Sequence, residues 1–287
     1  MKQKKIDFLV VGNYRSGTSW LQKIFKMHSQ IFVPDEKELF YFSRYYDRGL
    51  EWYHSFFKKS NKNKIKGEIC PSYFPNSRAA GLICEYNPNI KIVLIIRNPI
   101  DQIKSMRRLH LNRNIKQSDI ISLEEIKSRY IKNVLYYTNL KPFWKLFPEE
   151  NILILSYDEL KKNESSFLKK IYDFLEVENE NIQVVKNVNK AFKPRFNFVE
   201  KLLSNIGEFL RNNNLYILIS SFKNIGLLSF IRNLNYSQSE NEIDISEEGI
   251  NYINKIMKYE FTNLHLLTKT DYSDILKLKK TENSIIK

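Results

Sequence analysis

The chain has 287 residues and a formal net charge of +14, and 43% of its residues are hydrophobic. This composition supports a sizeable core and excludes disorder as the main state. No apolar run approaches the length of about 18 residues that a membrane-spanning helix needs, and the apolar stretch near the N-terminus is too short for a signal peptide. The two cysteines, Cys70 and Cys84, cannot build a disulfide framework. These features predict a reduced, cytoplasmic protein.

Short apolar runs alternate with segments of helical periodicity up to residue 175, which predicts strands alternating with helices. The predicted strands cover residues 6–11, 64–69, 91–96 and 151–156. One predicted helix follows the first strand, another begins at Pro99 behind the N-cap Asn98, and further helices cover residues 50–57, 77–86, 123–140 and 163–175. The alternation predicts a three-layer α/β/α sandwich with a mainly parallel central sheet.

We interpret residues 1–287 as a single domain, with its core at about residues 6–200 and an accessory helical part at about residues 197–270. Residues 198–234 are apolar and basic at once. That stretch fits a helical layer packed on the sheet, and it also fits peripheral contact with a membrane or with a lipid-like acceptor.

The segment Gly-Asn-Tyr-Arg-Ser-Gly-Thr-Ser, residues 12–19, has the glycine spacing of a phosphate-binding loop. It lies between a predicted strand and a predicted helix, which is the context such a loop requires. Backbone N–H groups of the loop and the positive end of the helix dipole can bind an anion together. The alternative is a glycine turn that has only a structural role and binds no ligand.

Two departures separate this loop from that of a nucleotide triphosphatase. Thr18 occupies the position of the usual lysine, and the basic residue is instead Arg15, earlier in the loop. The strand that would end in a magnesium-binding aspartate ends in Arg97. The sequence therefore predicts a site for phosphate that has no obligatory metal.

These segments resemble those of the PAPS-dependent sulfotransferases, where PAPS is 3′-phosphoadenosine 5′-phosphosulfate. RSGTSW at residues 15–20 matches the family's 5′-phosphosulfate loop, and RNPIDQIKS at residues 97–105 matches its 3′-phosphate motif. KELFYF at residues 37–42 is similar to a segment of the glycan-modifying branch, which includes heparan sulfate and bacterial enzymes. The resemblance covers roughly residues 6–200.

The resemblance implies a role for each matching residue. Glu38 is the expected general base, and Arg15 stabilises the leaving phosphate by charge and hydrogen bonding. The PAPS-binding set comprises Arg15, Ser16, Gly17, Thr18, Ser19, Trp20, Arg97, Ser105, Tyr157 and Arg195. Within that set Trp20 and Tyr157 are expected beside the adenine and Arg195 near the 3′-phosphate. Alternatives remain open, namely helix core for Trp20, a strand-end salt bridge for Arg97 and a surface carboxylate paired with Lys37 for Glu38.

Two further positions bear on the base and on the relatives. The cytosolic small-molecule sulfotransferases use a histidine near the position of Cys70 and Pro71, and its absence here favours Glu38. Ile69 stands where the heparan-type enzymes carry a lysine, so one cation of those enzymes is missing at that position.

The implied reaction is in-line transfer of a sulfuryl group to a hydroxyl or amine of a carbohydrate, a glycolipid or another small molecule. The implied partners are PAPS and its product PAP, without a metal and without nucleic acid. Two other classes remain open. One is a nucleotide kinase or NTPase-like protein, and the other is a non-catalytic module that binds polyanions through its net charge. Because lysine is abundant along the whole chain, much of that charge is expected to be solvated background.

Overall fold

A computed structural model describes residues 5–61, 63–111, 119–182, 192–194, 197–212, 236–238 and 243–276. The strands are β1 (Phe8–Gly12), β2 (Ile31–Phe32), β3 (Ile65–Ile69), β4 (Lys91–Ile96), β5 (Ile120–Ile121), β6 (Ile152–Ser156), β7 (Phe192–Pro194), β8 (Tyr236–Gln238) and β9 (Asp244–Ile245). The helices are α1 (Thr18–Met27), α2 (Gly49–Ser55), α3 (Ser77–Tyr86), α4 (Pro99–Leu111), α5 (Leu123–Glu125), α6 (Tyr136–Leu146), α7 (Tyr157–Lys162), α8 (Glu164–Leu175), α9 (Asn197–Asn212) and α10 (Glu247–Thr268).

The central sheet has five strands in the order β2-β3-β1-β4-β6, and every neighbouring pair is parallel. Val10 in β1 pairs with Ile69 on one side and with Val93 on the other. From β1 the chain builds the sheet to one side and then returns to build the other, so the strand order reverses between β1 and β4. In open parallel sheets a ligand binds beyond the carboxyl ends of the strands at that reversal.

Two apolar layers cover the faces of this sheet, because alternate residues of a strand point to opposite faces. Phe8 and Val10 pack with α1 and α8, whereas Leu9 and Val11 pack with the layer that contains α3, α6 and α10. All five residues of β1 are buried, as are five of the six in β4. Strands buried on both faces are typical of parallel sheets. The predicted α/β/α sandwich is confirmed.

The predicted helix over residues 123–140 is wrong. The chain forms the single turn of α5, a π-helical turn (Ile126–Tyr130) and a 3₁₀ turn (Ile131–Val134), and α6 begins only after Leu135. Side chains bind the carbonyls of this stretch. The Asn139 amide donates to the Lys132 carbonyl at 2.7 Å and the Asn13 amide donates to the Asn133 carbonyl at 2.7 Å. Such side-chain hydrogen bonds compete with the regular hydrogen bonds of an α-helix.

The C-terminal residues 243–276 pack directly on this domain. Phe261 of α10 meets Tyr136 of α6 edge to face, and the Glu260 carboxylate accepts the backbone N–H of Thr138 at 3.0 Å near the start of α6. The Asn98 amide donates to the Ile275 carbonyl at 2.9 Å, beside the carboxyl end of β4. The C-terminal segment therefore packs near the carboxyl ends of the central strands β1 and β4.

None of the helices within the described residues is long and apolar enough to cross a bilayer. The stretch at residues 198–234, which suggested a packed layer or membrane contact, is described only as far as the end of α9. Exposed apolar side chains on that helix include Leu202 and Phe209.

Candidate active site

The loop between β1 and α1 depends on a glycine at its helical end. Gly17 caps α1 with φ at 83°, in the left-handed region that favours glycine. A Cβ atom there would lie 2.9 Å from Leu160 Cδ2 and 3.2 Å from Tyr157 Cε2. Both the backbone conformation and the close packing against α7 therefore require Gly17. The N-terminus of α1, which follows this glycine, carries the positive end of the helix dipole, which favours an anion.

Asn13 anchors the other end of the loop. This fully buried side chain accepts the backbone N–H of Tyr14 at 2.8 Å and donates to the Asn133 carbonyl at 2.7 Å. It also lies 3.4 Å from Gln102 Oε1, which accepts the hydroxyl of Tyr136 at 2.6 Å. Because a buried network with its polar groups paired is rigid, this network fixes the loop against α4 and the residues before α6.

The structure brings the two predicted phosphate segments into contact. The Arg15 Nε donates to the Ser105 hydroxyl at 3.0 Å, and the Arg97 guanidinium donates to the Arg15 carbonyl at 2.7 Å. Arg15 has φ at 63°, which is uncommon for a residue with a side chain. The hydrogen bond from Arg97 to its carbonyl supports that backbone conformation. Residues 15–20 and 97–105 are therefore in direct contact, and their role as a phosphate site stays a prediction.

Positive charge is concentrated at this site. Burial lowers the pKa of Arg15, and the charges of Arg97 and Arg108 lower it further. Arginine nevertheless stays protonated at any ordinary pH. The guanidinium of Arg97 also lies 4.7 Å from the centre of the Tyr157 ring, in a cation–π contact. A bound anion would relieve the repulsion between the neighbouring guanidinium groups.

Several buried polar atoms of the predicted site lack a hydrogen-bond partner. They are Ser16 Oγ, Arg97 Nε, Glu38 Oε2 and Trp20 Nε1. A buried donor or acceptor left unpaired costs about 1–3 kcal/mol, so native proteins rarely keep one without a reason. Ser16 and Arg97 belong to the two phosphate segments. A phosphate-bearing ligand with several acceptor oxygens fits these free donors.

Glu38 lies next to the loop because the preceding residue, Lys37, is hydrogen-bonded to the first turn of α1. Lys37 Nζ donates to Thr18 Oγ1 at 3.0 Å and to Ser19 Oγ at 3.2 Å. Burial raises the pKa of Glu38, and the positive charges of Lys37 and Arg44 oppose that rise. A carboxylate with a raised pKa is suited to accept a proton near neutral pH.

Glu68 holds the segment that carries Glu38. Its fully buried carboxylate accepts the backbone N–H of Leu39 at 3.0 Å, the hydroxyl of Tyr53 at 2.8 Å and the hydroxyl of Tyr73 at 3.0 Å. Burial raises the pKa of Glu68 to about 7, although these three hydrogen bonds oppose the rise. Glu68 thus binds the residue that follows Glu38, and it is a positioning residue for Glu38, the predicted base.

Sequence reasoning did not identify Lys37 or Glu68 as site residues. Lys37 adjoins Glu38, and the absence of the usual loop lysine is a signal to look for a cation elsewhere in the chain. Glu68 gave no comparable signal, because its contact with Leu39 spans 29 residues of sequence.

The remaining predicted residues differ in their placement. The Trp20 ring packs against Phe167 with ring centres 6.4 Å apart, which is the contact expected of the helix-core alternative. Tyr157 adjoins Gly17 and Arg97, at the predicted nucleotide side of the loop. Arg195 lies outside the described residues. Among the described residues, no group of three or more His, Cys, Asp or Glu side chains could hold a metal ion.

Comparisons with known proteins place this site in a family context. The family model for the sulfotransferase domain matches residues 5–206. The membrane-associated sulfotransferase kil1 of Dictyostelium discoideum is 32% identical over 109 residues, which cover 37% of this chain and 23% of that protein. Heparan sulfate glucosamine 3-O-sulfotransferase 3B1 of Mus musculus is 26% identical over 179 residues, which cover 58% of this chain and 45% of that protein.

The similarity extends to a solved structure. A sulfotransferase from Alicyclobacillus acidocaldarius superposes with a TM-score of 0.65 at 16% identity, covering 95% of this chain and 99% of the other, which shows a common fold. The matched segments span less than half of the length of the two curated relatives. Because the family model matches well over half of the chain, and the fold agrees, this protein belongs to the sulfotransferase family.

Proposed function

We propose that this protein transfers a sulfuryl group from PAPS to a hydroxyl or amine of an acceptor. The observation that carries the proposal is the presence of two half-buried guanidinium groups and a half-buried carboxylate around one loop. Arg15 and Arg97 are linked through the Arg15 backbone, and Glu38 adjoins the same loop with one oxygen unpaired. An anionic donor and an in-line nucleophile need these two kinds of group.

The residues present fit PAPS at both of its phosphate ends. The loop residues Ser16, Gly17, Thr18 and Ser19 would hold the 5′-phosphosulfate at the N-terminus of α1. Arg97 and Ser105 would hold the 3′-phosphate, and Arg97 has a buried Nε without a partner. When bound, PAPS supplies the sulfuryl group and a phosphate leaving group.

The chain's own groups then perform two tasks. Glu38 accepts the proton of the acceptor hydroxyl or amine as the acceptor atom bonds to sulfur. Arg15 stabilises the electron pair left on the 5′-phosphate when the bond between sulfur and the bridging oxygen breaks, and it does so without transferring a proton. Both groups are positioned before the reaction, since Arg15 is bonded to Ser105 and the Glu38 segment to Glu68.

A carbohydrate or glycolipid acceptor is the class that the relatives support. The mouse relative is named for sulfation of heparan sulfate glucosamine. The segment at residues 37–42, which carries Glu38, resembles that of glycan-modifying enzymes. The proposal therefore names a saccharide hydroxyl or amine as the acceptor.

Thermal stability with three ligands tests the proposal. Adenosine 3′,5′-bisphosphate at about 100 times its Kd should stabilise the protein by about 2.7 kcal/mol, and ATP with magnesium should stabilise it far less. Larger stabilisation by ATP with magnesium would indicate a nucleotide kinase or NTPase instead. Stabilisation by heparin alone, lost steeply as salt is added, would indicate a non-catalytic polyanion-binding module.

A further inference from the structure

Lys37 approaches the phosphate loop from outside it. The residue follows β2 in the chain, and its Nζ donates to Thr18 Oγ1 at 3.0 Å and to Ser19 Oγ at 3.2 Å. Both hydroxyls lie in the first turn of α1. The ammonium group therefore lies at the N-terminus of the helix that ends the loop, where an anion would otherwise be the expected neighbour.

Ser19, which Lys37 contacts, corresponds to a metal-binding position in a related type of loop. In the spacing G-x-x-x-x-G-x-[ST], Ser19 is the final hydroxyl residue. In P-loop NTPases that hydroxyl binds Mg²⁺, and the lysine just before it reaches the phosphates. Here Thr18 replaces that lysine, and Arg97 ends the strand at which an NTPase would carry its magnesium-binding aspartate. Lys37 thus brings a cation to the hydroxyl that binds the metal in those enzymes.

We infer that Lys37 is the resident cation of this loop, that it takes the place of Mg²⁺ beside Ser19, and that it contacts the phosphosulfate of the donor. The inference rests on the proposed function. An ammonium group has three N–H donors, and two of them bind Thr18 and Ser19. The third is available to an oxygen of the donor.

The surroundings of Lys37 suit a cation that acts by charge. Burial lowers the pKa of Lys37, whereas the neighbouring Glu38 carboxylate raises it. A phosphosulfate bound at the loop would add negative charge and favour the protonated form further. Lys37 keeps its proton throughout the transfer, and it stabilises the negative charge that develops on the leaving 5′-phosphate together with Arg15.

Binding of adenosine 3′,5′-bisphosphate to Lys37→Ala, measured by calorimetry, tests the inference. Lys26→Ala is the matched control. Lys26 lies at the C-terminal end of α1, pairs with Asp35 at 2.8 Å, and has a side chain that is 36% exposed. We expect Lys37→Ala to lose about 10- to 100-fold in affinity, as for removal of a charged hydrogen-bond donor, and Lys26→Ala to bind as the wild type does.

Added Mg²⁺ separates a metal-like role from ordinary charge attraction. It should recover part of the lost affinity in Lys37→Ala, where the Ser19 hydroxyl becomes accessible, and leave the wild type unchanged. Transfer of the sulfuryl group from labelled PAPS to an acceptor hydroxyl or amine should follow the same pattern. Lys37→Met keeps the aliphatic stem and serves as the second variant if the alanine variant is unstable.

The outcomes distinguish the inference from the function on which it rests. Equal affinity in Lys37→Ala and Lys26→Ala, in a wild type that binds the bisphosphate, overturns the role of Lys37 and leaves the proposed function standing. A loss of affinity that Mg²⁺ does not repair overturns the metal-like placement. A wild type that does not bind the bisphosphate overturns the proposed function itself.

Discussion

The donor side of the candidate site and the segment that carries Glu38 are held in place by different means. On the donor side, Gly17 and Arg15 adopt left-handed backbone conformations within a short loop, and Arg97 and Ser105 bind that loop directly. The segment at residues 37–42 has no regular helix or strand. It depends instead on two contacts with other elements, namely that of Lys37 with the first turn of α1 and that of Leu39 with the buried carboxylate of Glu68 in β3.

This difference separates two kinds of pre-organisation. The donor side needs particular residues at a fixed spacing, because the backbone itself forms the binding surface. The base-bearing segment needs particular neighbours in space, because no helix or strand fixes its conformation. Substitutions on the donor side, and at Lys37, which binds the loop, should therefore affect donor binding, whereas those at Glu38 and Glu68 should affect the transfer step.

Glu38→Gln should show the largest effect. Removal of a general base lowers turnover by about 10²- to 10⁴-fold, and the amide keeps the size of the side chain. The affinity for adenosine 3′,5′-bisphosphate should stay unchanged, because Glu38 is proposed to act on the acceptor and not on the donor. Turnover is measured with labelled PAPS and an acceptor selected from cell glycans and lipids.

The pH profile and a neighbouring variant complete this test. Because burial raises the pKa of Glu38, kcat/KM of the wild type should fall as pH drops through a pKa above the ordinary value for glutamate. Glu36→Gln makes the same charge change two residues away and should retain turnover. Activity of Glu38→Gln close to that of the wild type would remove Glu38 from the role of base.

Arg97→Ala should show an intermediate effect, confined to the donor side. Hydrogen bonds to charged groups contribute about 1.5–3 kcal/mol, so affinity for adenosine 3′,5′-bisphosphate should fall by about 10- to 100-fold. Affinity for adenosine 5′-monophosphate, which lacks the 3′-phosphate, should change much less. Arg78→Ala, an exposed arginine of α3, is the control. Equal losses for both ligands would show that Arg97 acts only by supporting Arg15.

The same comparison explains what the sequence could predict. The fold and the donor side have local signals, namely the apolar runs of β1 and β4 and the glycine spacing of the loop between β1 and α1. The support of Glu38 has none, since Glu68 and Leu39 are 29 residues apart in the sequence and meet only in the folded chain. The prediction of a helix over residues 123–140 is wrong for a similar reason. A contact distant in sequence acts there, because Asn13 binds the Asn133 carbonyl across 120 residues.

Glu68→Gln should lower turnover less than Glu38→Gln does, because the amide oxygen can still accept the backbone N–H of Leu39 in place of the carboxylate. Tyr53→Phe removes one of the hydroxyls that bind Glu68 and gives an independent measure of the same contact. If the base-bearing segment depends on Glu68, both variants should lower kcat while the affinity for the bisphosphate stays that of the wild type. Weaker bisphosphate binding in both would instead couple the two sides of the site.

The charge of Glu68 gives this variant a pH dependence of its own. Burial raises the pKa of Glu68 from 4.5 to about 7, so between these values the folded state binds more protons than the unfolded state. The free energy of unfolding should therefore fall as pH rises across that window, by about 3 kcal/mol for this group. Glu68→Gln lacks the ionisation, so its stability relative to the wild type should improve from pH 4.5 to pH 7. A difference in unfolding free energy that stays constant over this range would show that Glu68 ionises as freely in the folded protein as in the unfolded chain.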